Sequence, residues 1–328
     1  MKSKLFSNTI LLALVAFVVS VLTACAAFQP APPSLPPMRV EYTLWWGDYT
    51  LLVAKEKGFF EKHNVNVEPV YYPIFSKAYS DLAAGQIDAG LMAVGDVMSV
   101  ARHAPMKVIG VYDDGGYTTI VARSEINSIR DLKGKSIGIL AGTQYEMLIT
   151  EMLASAGMNR ADVAIVNVNT EEVPAALKEN KIQAGFTWEP FTAQAIDGGA
   201  HILYPTDQIL RYFPDMIAFR QDVVDQRPQE IRAFMQAWFE AVNYRLRNPE
   251  ETRQIAAKYT GVPIEQIQPE VNLKIMTYED NLVMYSHSSA NSIFNTTRKT
   301  AEYLISIGAL IVKPDANSIL DPQYFIRQ

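Results

Sequence analysis

Beyond residue 38 the hydrophobic pattern repeatedly changes period, from every second residue to every third or fourth and back. Val40, Tyr42 and Leu44 alternate with polar neighbours, which predicts a strand ending in Trp45-Trp46-Gly47-Asp48-Tyr49. A helix is predicted over 49–57, stopped at Gly58, then a strand over 65–72. Residues 76–84 read as a helix, 87–92 as a short strand, and another helix begins near Asp96. Two further strands, 107–112 and 118–122, flank Asp113-Asp114-Gly115-Gly116. This β–helix–β alternation predicts an α/β fold with a largely parallel sheet.

Ser128 caps the start of a second such set. It holds a strand over 136–140, a helix opened by the capping-box spacing Thr143-Gln144-Tyr145-Glu146, a strand over 163–168, a helix through Leu177 and a strand over 183–187. Residues 216–219 return as a strand, and helices dominate after Pro228, over 231–246, 249–259 and 291–307. Leu82-Ala83-Ala84-Gly85-Gln86-Ile87-Asp88-Ala89-Gly90 is echoed by Leu177-Lys178-Glu179-Asn180-Lys181-Ile182-Gln183-Ala184-Gly185. Each is a helix end, a polar turn and a short strand, so two related lobes are expected.

The first 38 residues follow a different logic. Lys2 and Lys4 precede an apolar run over 10–22, too short for a membrane span of ~20 residues, and the pattern is that of a secretory signal. Leu22-Thr23-Ala24-Cys25 resembles the lipobox of bacterial lipoproteins, which implies a signal peptide over 1–24 and diacylglycerol on Cys25. Cys25 is the sole cysteine, so the globule must hold together without disulfides. Two or more acyl chains suffice for stable anchoring. Phe28 to Pro37 carries five prolines in ten residues and reads as an extended tether, so 25–38 is a lipidated spacer. The expected order is lipid, spacer, globule, anchored to the cell membrane on its extracytoplasmic side.

Without the signal, 304 of the 328 residues remain, above the ~250–300 that one core usually serves. The net charge is −6, or −8 without Lys2 and Lys4, and no basic run follows, which argues against nucleic acid as a partner. Gly134-Lys135-Ser136-Ile137-Gly138 has the letters of a hydrolase elbow, but a helix precedes the serine and a strand follows it, the reverse of what an elbow needs. His63, His103, His201 and His287 are scattered, and zinc lacks a second cysteine. No catalytic residue, metal or cofactor is expected.

Five phrases carry a family resemblance by their order and spacing. They are Ala54-Lys55-Glu56-Lys57-Gly58-Phe59-Phe60, Gly85-Gln86-Ile87-Asp88-Ala89-Gly90, Ser128-Ile129-Arg130-Asp131-Leu132-Lys133-Gly134-Lys135, Gly142-Thr143 and Thr187-Trp188-Glu189-Pro190. Together they resemble the nitrate/sulfonate/taurine-type solute-binding proteins, which include thiamine-precursor and riboflavin binders. The resemblance implies a type II periplasmic-binding-protein fold, two α/β lobes joined by two crossovers, with solute held between them. Lobe 1 is then 39–122 plus 216–328 and lobe 2 is 123–215, with crossovers near Ala122 to Arg123 and Pro214 to Asp215. It also implies an ABC permease and its ATPase as partners. An enzyme resembling thiamine-pyrimidine synthase is the competing class, but that enzyme's cysteine cluster is missing here.

Ligands of open α/β sheets lie beyond the carboxyl ends of strands. The residues expected there are Trp45, Trp46, Asp48, Tyr49, Asp96, Tyr117, Thr143, Tyr145, Trp188 and Glu189. The set is aromatic and acidic and contains no Lys or Arg, whereas nitrate, taurine or an alkanesulfonate would call for cationic donors or several helix amides. A flat heterocycle suits it better. Riboflavin is the expected ligand and a thiamine-precursor pyrimidine the alternative. Pyrimidine binders of the family carry an asparagine-to-histidine phrase where this chain reads Trp46-Gly47-Asp48-Tyr49-Thr50.

Overall fold

A computed structural model describes residues 35–116, 118–205, 213–267 and 273–326. The chain divides into two compact units, Met1–Pro36 and Pro37–Gln328. Of the first unit only Leu35 and Pro36 are described, so the expected signal peptide, Cys25 and most of the tether lie outside the described residues. So does Tyr117.

In the second unit ten described strands form two five-stranded sheets. They are β1 (Met38–Tyr42), β2 (Val67–Tyr71), β3 (Ala89–Ala93), β4 (Met106–Asp113), β5 (Thr119–Arg123), β6 (Ser136–Ile139), β7 (Ala164–Asn167), β8 (Ala184–Thr187), β9 (Ala200–Pro205) and β10 (Asp215–Arg220). The first sheet has the order β2-β1-β3-β10-β4 and the second β7-β6-β8-β5-β9. In each, three parallel strands are followed by one antiparallel strand, β10 or β5, and then by the last strand. The two sheets therefore repeat one topology. Ala89–Ala93 and Ala184–Thr187 are buried throughout, as strands covered on both faces must be.

Thr119–Arg123 pairs with β8 and β9, so it belongs to the second sheet. The first crossing thus lies between Asp113 and Thr119, ahead of the expected Ala122 to Arg123. Gly115 and Gly116 account for it: both have positive φ, +86° and +52°, which lets the chain turn out of the first sheet at that point. The return falls between Pro205 and Asp215. Strand β9 was not expected from the pattern. It pairs with β5 alone, and a register shift opposite Ile120/Val121 breaks its alternation.

Other elements begin and end close to the sequence reading. Ser128 and Asp131 form a reciprocal capping box. The box expected at Thr143 is displaced: Glu146 accepts from the Gly142 N–H at 2.8 Å, Thr143 Oγ1 accepts from the Tyr145 N–H at 3.3 Å, and the helix Tyr145–Ser155 starts one residue past Gln144. Ser136 opens strand β6, so no elbow forms around it. The first sheet is covered by the helix Pro228–Arg247, whose Phe234 and Trp238 stack at 5.9 Å and whose Trp238 meets Tyr112 edge-on at 6.0 Å.

Candidate functional site

The carboxyl end of β1 runs into a tight turn that carries Trp45 and Asp48. Asp48 is buried and takes three donors, the Thr43 N–H and hydroxyl, each at 2.8 Å, and the Tyr112 hydroxyl at 2.9 Å. Trp45 is oriented by its indole N–H, which donates to Asp113 Oδ2 at 2.8 Å. Gly47 makes this possible, because a Cβ there would lie 2.7 Å from Tyr112 Cε2, 2.8 Å from Trp45 Nε1 and closer still to Asp113. Behind the turn, buried Arg245 donates to the Gly47 carbonyl at 2.9 Å, the Trp46 carbonyl at 2.9 Å and Thr50 Oγ1 at 2.6 Å. Its guanidinium lies 5.1 Å over the Trp46 ring.

The second sheet supplies the facing wall. Tyr145 stacks on Phe186 at 4.6 Å, Phe186 meets Trp188 edge-on at 5.8 Å, and Trp188 meets Trp45 edge-on at 6.1 Å. These four rings, with Phe75, Tyr112 and Phe213, line a cleft to which Asp48, Gln144 and Asp215 add polar groups. Among the described residues lining it none is Lys, Arg or His.

Burial dominates the electrostatics. It pushes the Asp48 carboxyl up to about 7, with hydrogen bonds from Thr43 and Tyr112 acting against it. Asp113 is pushed up to about 6, also by burial, against donors from Gly115 and Trp45. Asp215 sits in register opposite Asp113 across β4 and β10, and burial together with the Asp113 charge raises it well above the usual carboxylate range. Like charges this close oppose each other's ionisation. Arg245 is lowered to about 10 by burial, and its donors are engaged by the turn.

Of the residues expected from sequence, Trp45, Asp48, Tyr145 and Trp188 come together around this cleft. Asp96 lies behind it, buried, and accepts the Tyr145 hydroxyl at 3.1 Å. Trp46, Tyr49 and Glu189 are not brought to it; they line a separate cavity of about 300 Å³. Neighbouring Trp45 and Trp46 thus point to opposite sides of the turn. Thr143 lines a third, open groove of about 1280 Å³ with Arg102 and His103. Sequence reasoning missed Gln144, Phe186, Phe213 and Asp215, which also line the cleft. Phe186 sat in a strand read only as core and Asp215 in a crossover ahead of a strand, although each lies at or near a strand end beside the cleft.

The sequence profile of the family described as NMT1/THI5 like matches residues 49–252. A candidate binding protein of Brucella abortus (strain 2308) is 27% identical over 293 residues, spanning 88% of this chain and 89% of that protein. Among solved structures, the nitrate-binding protein NrtA from Synechocystis PCC 6803 superposes with a TM-score of 0.73 at 19% identity, covering 90% of this chain and 88% of that one. The alkanesulfonate-binding protein SsuA from Xanthomonas axonopodis pv. citri superposes with a TM-score of 0.69 at 17% identity, covering 89% and 99%. The two sheets are thus arranged as in periplasmic binding proteins, and the chain belongs to the NMT1/THI5-like family.

Proposed function

We propose that this protein captures a flat, uncharged heteroaromatic solute, riboflavin in the first instance, and delivers it to the permease of an ABC importer. The observation that carries the reading is the composition of the cleft: seven aromatic residues, buried carboxyls, and no cationic side chain among its described lining. The structural neighbours are named for nitrate and alkanesulfonate, both anions. An anion would find no Lys, Arg or His among the described lining residues to pair with it.

We further read the two sheets as lobes that close on the solute, and Cys25 as a lipidated anchor. The anchor rests on the lone cysteine after the apolar run. Cys25→Ala should move the protein from the membrane to the soluble fraction; retention on membranes after a high-salt wash would refute it.

Ligand choice is tested by thermal shift with riboflavin, a thiamine-precursor pyrimidine, taurine and nitrate. A ligand at a hundred times its Kd adds about 2.7 kcal/mol, worth several degrees in a chain of this size. Riboflavin should give that shift and the two anions none. Truncating a stacked ring costs about 2 kcal/mol, so Trp188→Ala should weaken riboflavin roughly thirtyfold. A shift with taurine or nitrate alone would overturn the aromatic reading, and a shift with the pyrimidine alone would replace the flavin.

A further inference from the structure

Two residues that line the cleft, Gln144 and Trp188, each carry a buried donor without a partner. Gln144 is fully buried, and its Oε1 accepts the Gly95 N–H at 2.7 Å. That contact fixes which end of the amide is which, because the Gly95 N–H requires an acceptor. Nε2 is then the free end, and it has no partner. Gly95 allows the approach, since a Cβ there would overlap the Gln144 side chain. Trp188 is only 7% exposed, and its indole N–H is also unpartnered. Both residues line the cleft.

Buried donors are paired in the great majority of cases, and those left over in a cavity call for an acceptor that the cavity is built to receive. Trp45 shows the contrast. Its indole N–H is already spent on Asp113, so it offers the cleft a ring and no donor. Asp215, in register with Asp113, contributes a carboxyl to the same space.

We propose that Gln144 Nε2 and Trp188 Nε1 donate to ring carbonyl oxygens of the solute while Asp215 accepts a ring N–H, so that the cleft selects a planar heterocycle with a lactam or imide edge. This rests on the heteroaromatic reading above and narrows it. A pyrimidinedione or an isoalloxazine carries such an edge. A 4-amino-2-methylpyrimidine presents a different pattern, an amino donor beside a ring-nitrogen acceptor and no ring N–H, so it cannot match two donors and an acceptor in the same pose. The selectivity follows from that difference, because a site with buried polar groups rejects an analogue that cannot satisfy them.

The test measures riboflavin and a 4-amino-2-methylpyrimidine binding by calorimetry on the full chain and on two variants, each checked for a cooperative melt. Trp188→Phe keeps a ring and removes the N–H. Gln144→Glu keeps the acceptor for Gly95 and replaces the free amide end with an oxygen. Each should weaken riboflavin about tenfold or more, and neither should weaken the aminopyrimidine comparably. Riboflavin affinity within twofold of wild type in both variants would overturn the donor assignment while leaving the heteroaromatic reading in place. Aminopyrimidine binding to the wild type with no riboflavin binding would also overturn it. Binding of neither heterocycle would remove the reading on which it rests.

Discussion

Asp96 shows what one buried carboxyl does to this molecule. It sits under the cleft wall, fully buried, holding the Tyr145 hydroxyl at 3.1 Å. Burial lifts its carboxyl from 3.8 to about 7. Between those pH values the folded chain keeps a proton that the unfolded chain has released, so stability falls as pH rises through the window and levels off above about pH 7. Asp48, raised to about 7, acts with the same sign. Urea midpoints should therefore decline from pH 4 to pH 7. Asp96→Asn removes one titrating group and should flatten that slope by up to ~1.4 kcal/mol per pH unit. An unchanged slope would mean that Asp96 is ionised in the folded protein. Sequence placed Asp96 among the ligand residues; in the structure its carboxyl accepts the Tyr145 hydroxyl, and no side-chain cap is made at the start of Val94–Ala101.

At the scale of elements, the turn after β1 depends on parts far apart in the chain. Thr43 and Tyr112 hold Asp48, Asp113 holds Trp45, and Arg245 holds the carbonyls of Trp46 and Gly47 from the other side. Gly47 is the point where these meet. Gly47→Ala should cost about 1–3 kcal/mol from overpacking, shift the near-ultraviolet circular dichroism of tryptophan, and weaken riboflavin. Gly58→Ala is the control: it also lies in a turn, at φ +69°, but nothing stands within 4 Å of the added Cβ. If both variants lose the same stability and neither changes the tryptophan signal, Gly47 is not the keystone of the turn. The echo of two nine-residue segments was legible in the sequence, and its counterpart is geometric. Gly85 and Asn180 both take the left-handed conformation, at φ +72° and +58°, between a helix and a central strand.

For the whole molecule, the two repeated sheets each contribute a wall of the cleft, Trp45 and Asp48 from one and Tyr145, Phe186 and Trp188 from the other. A site divided in this way is completed by closure, and we expect the chain without solute to sample a more open arrangement. X-ray scattering should show the radius of gyration, roughly 19 Å for a domain of this size, contract by a few per cent when riboflavin saturates it. Confirmed binding with an unchanged radius would argue that the lobes do not move. The crossings that join them are two, and both lie at the site: one passes through Gly115 and Gly116, the other returns at Asp215.

Sequence by itself determined the α/β class, the order of nearly all strands and helices, the repeat, and four residues that line the cleft. These are consequences of local periodicity, glycine and proline placement, and the rule that ligands gather at strand ends. What tertiary structure alone decided is which neighbour faces the cleft and which polar group is already spent. Trp45 and Trp46 are equivalent in sequence, yet one lines the cleft and the other covers Arg245. Asp113 reads as a turn residue, yet it anchors Trp45 and lies in register with a residue 102 positions further along the chain, Asp215, whose carboxyl it raises. Gln144 gives no local signal at all. Its role exists only because Gly95, on another element, donates to one end of its amide and leaves the other without a partner. Hydrogen-bond capacity is a property of partners brought together by folding, and a single sequence records the donors without recording which of them remain unpaired.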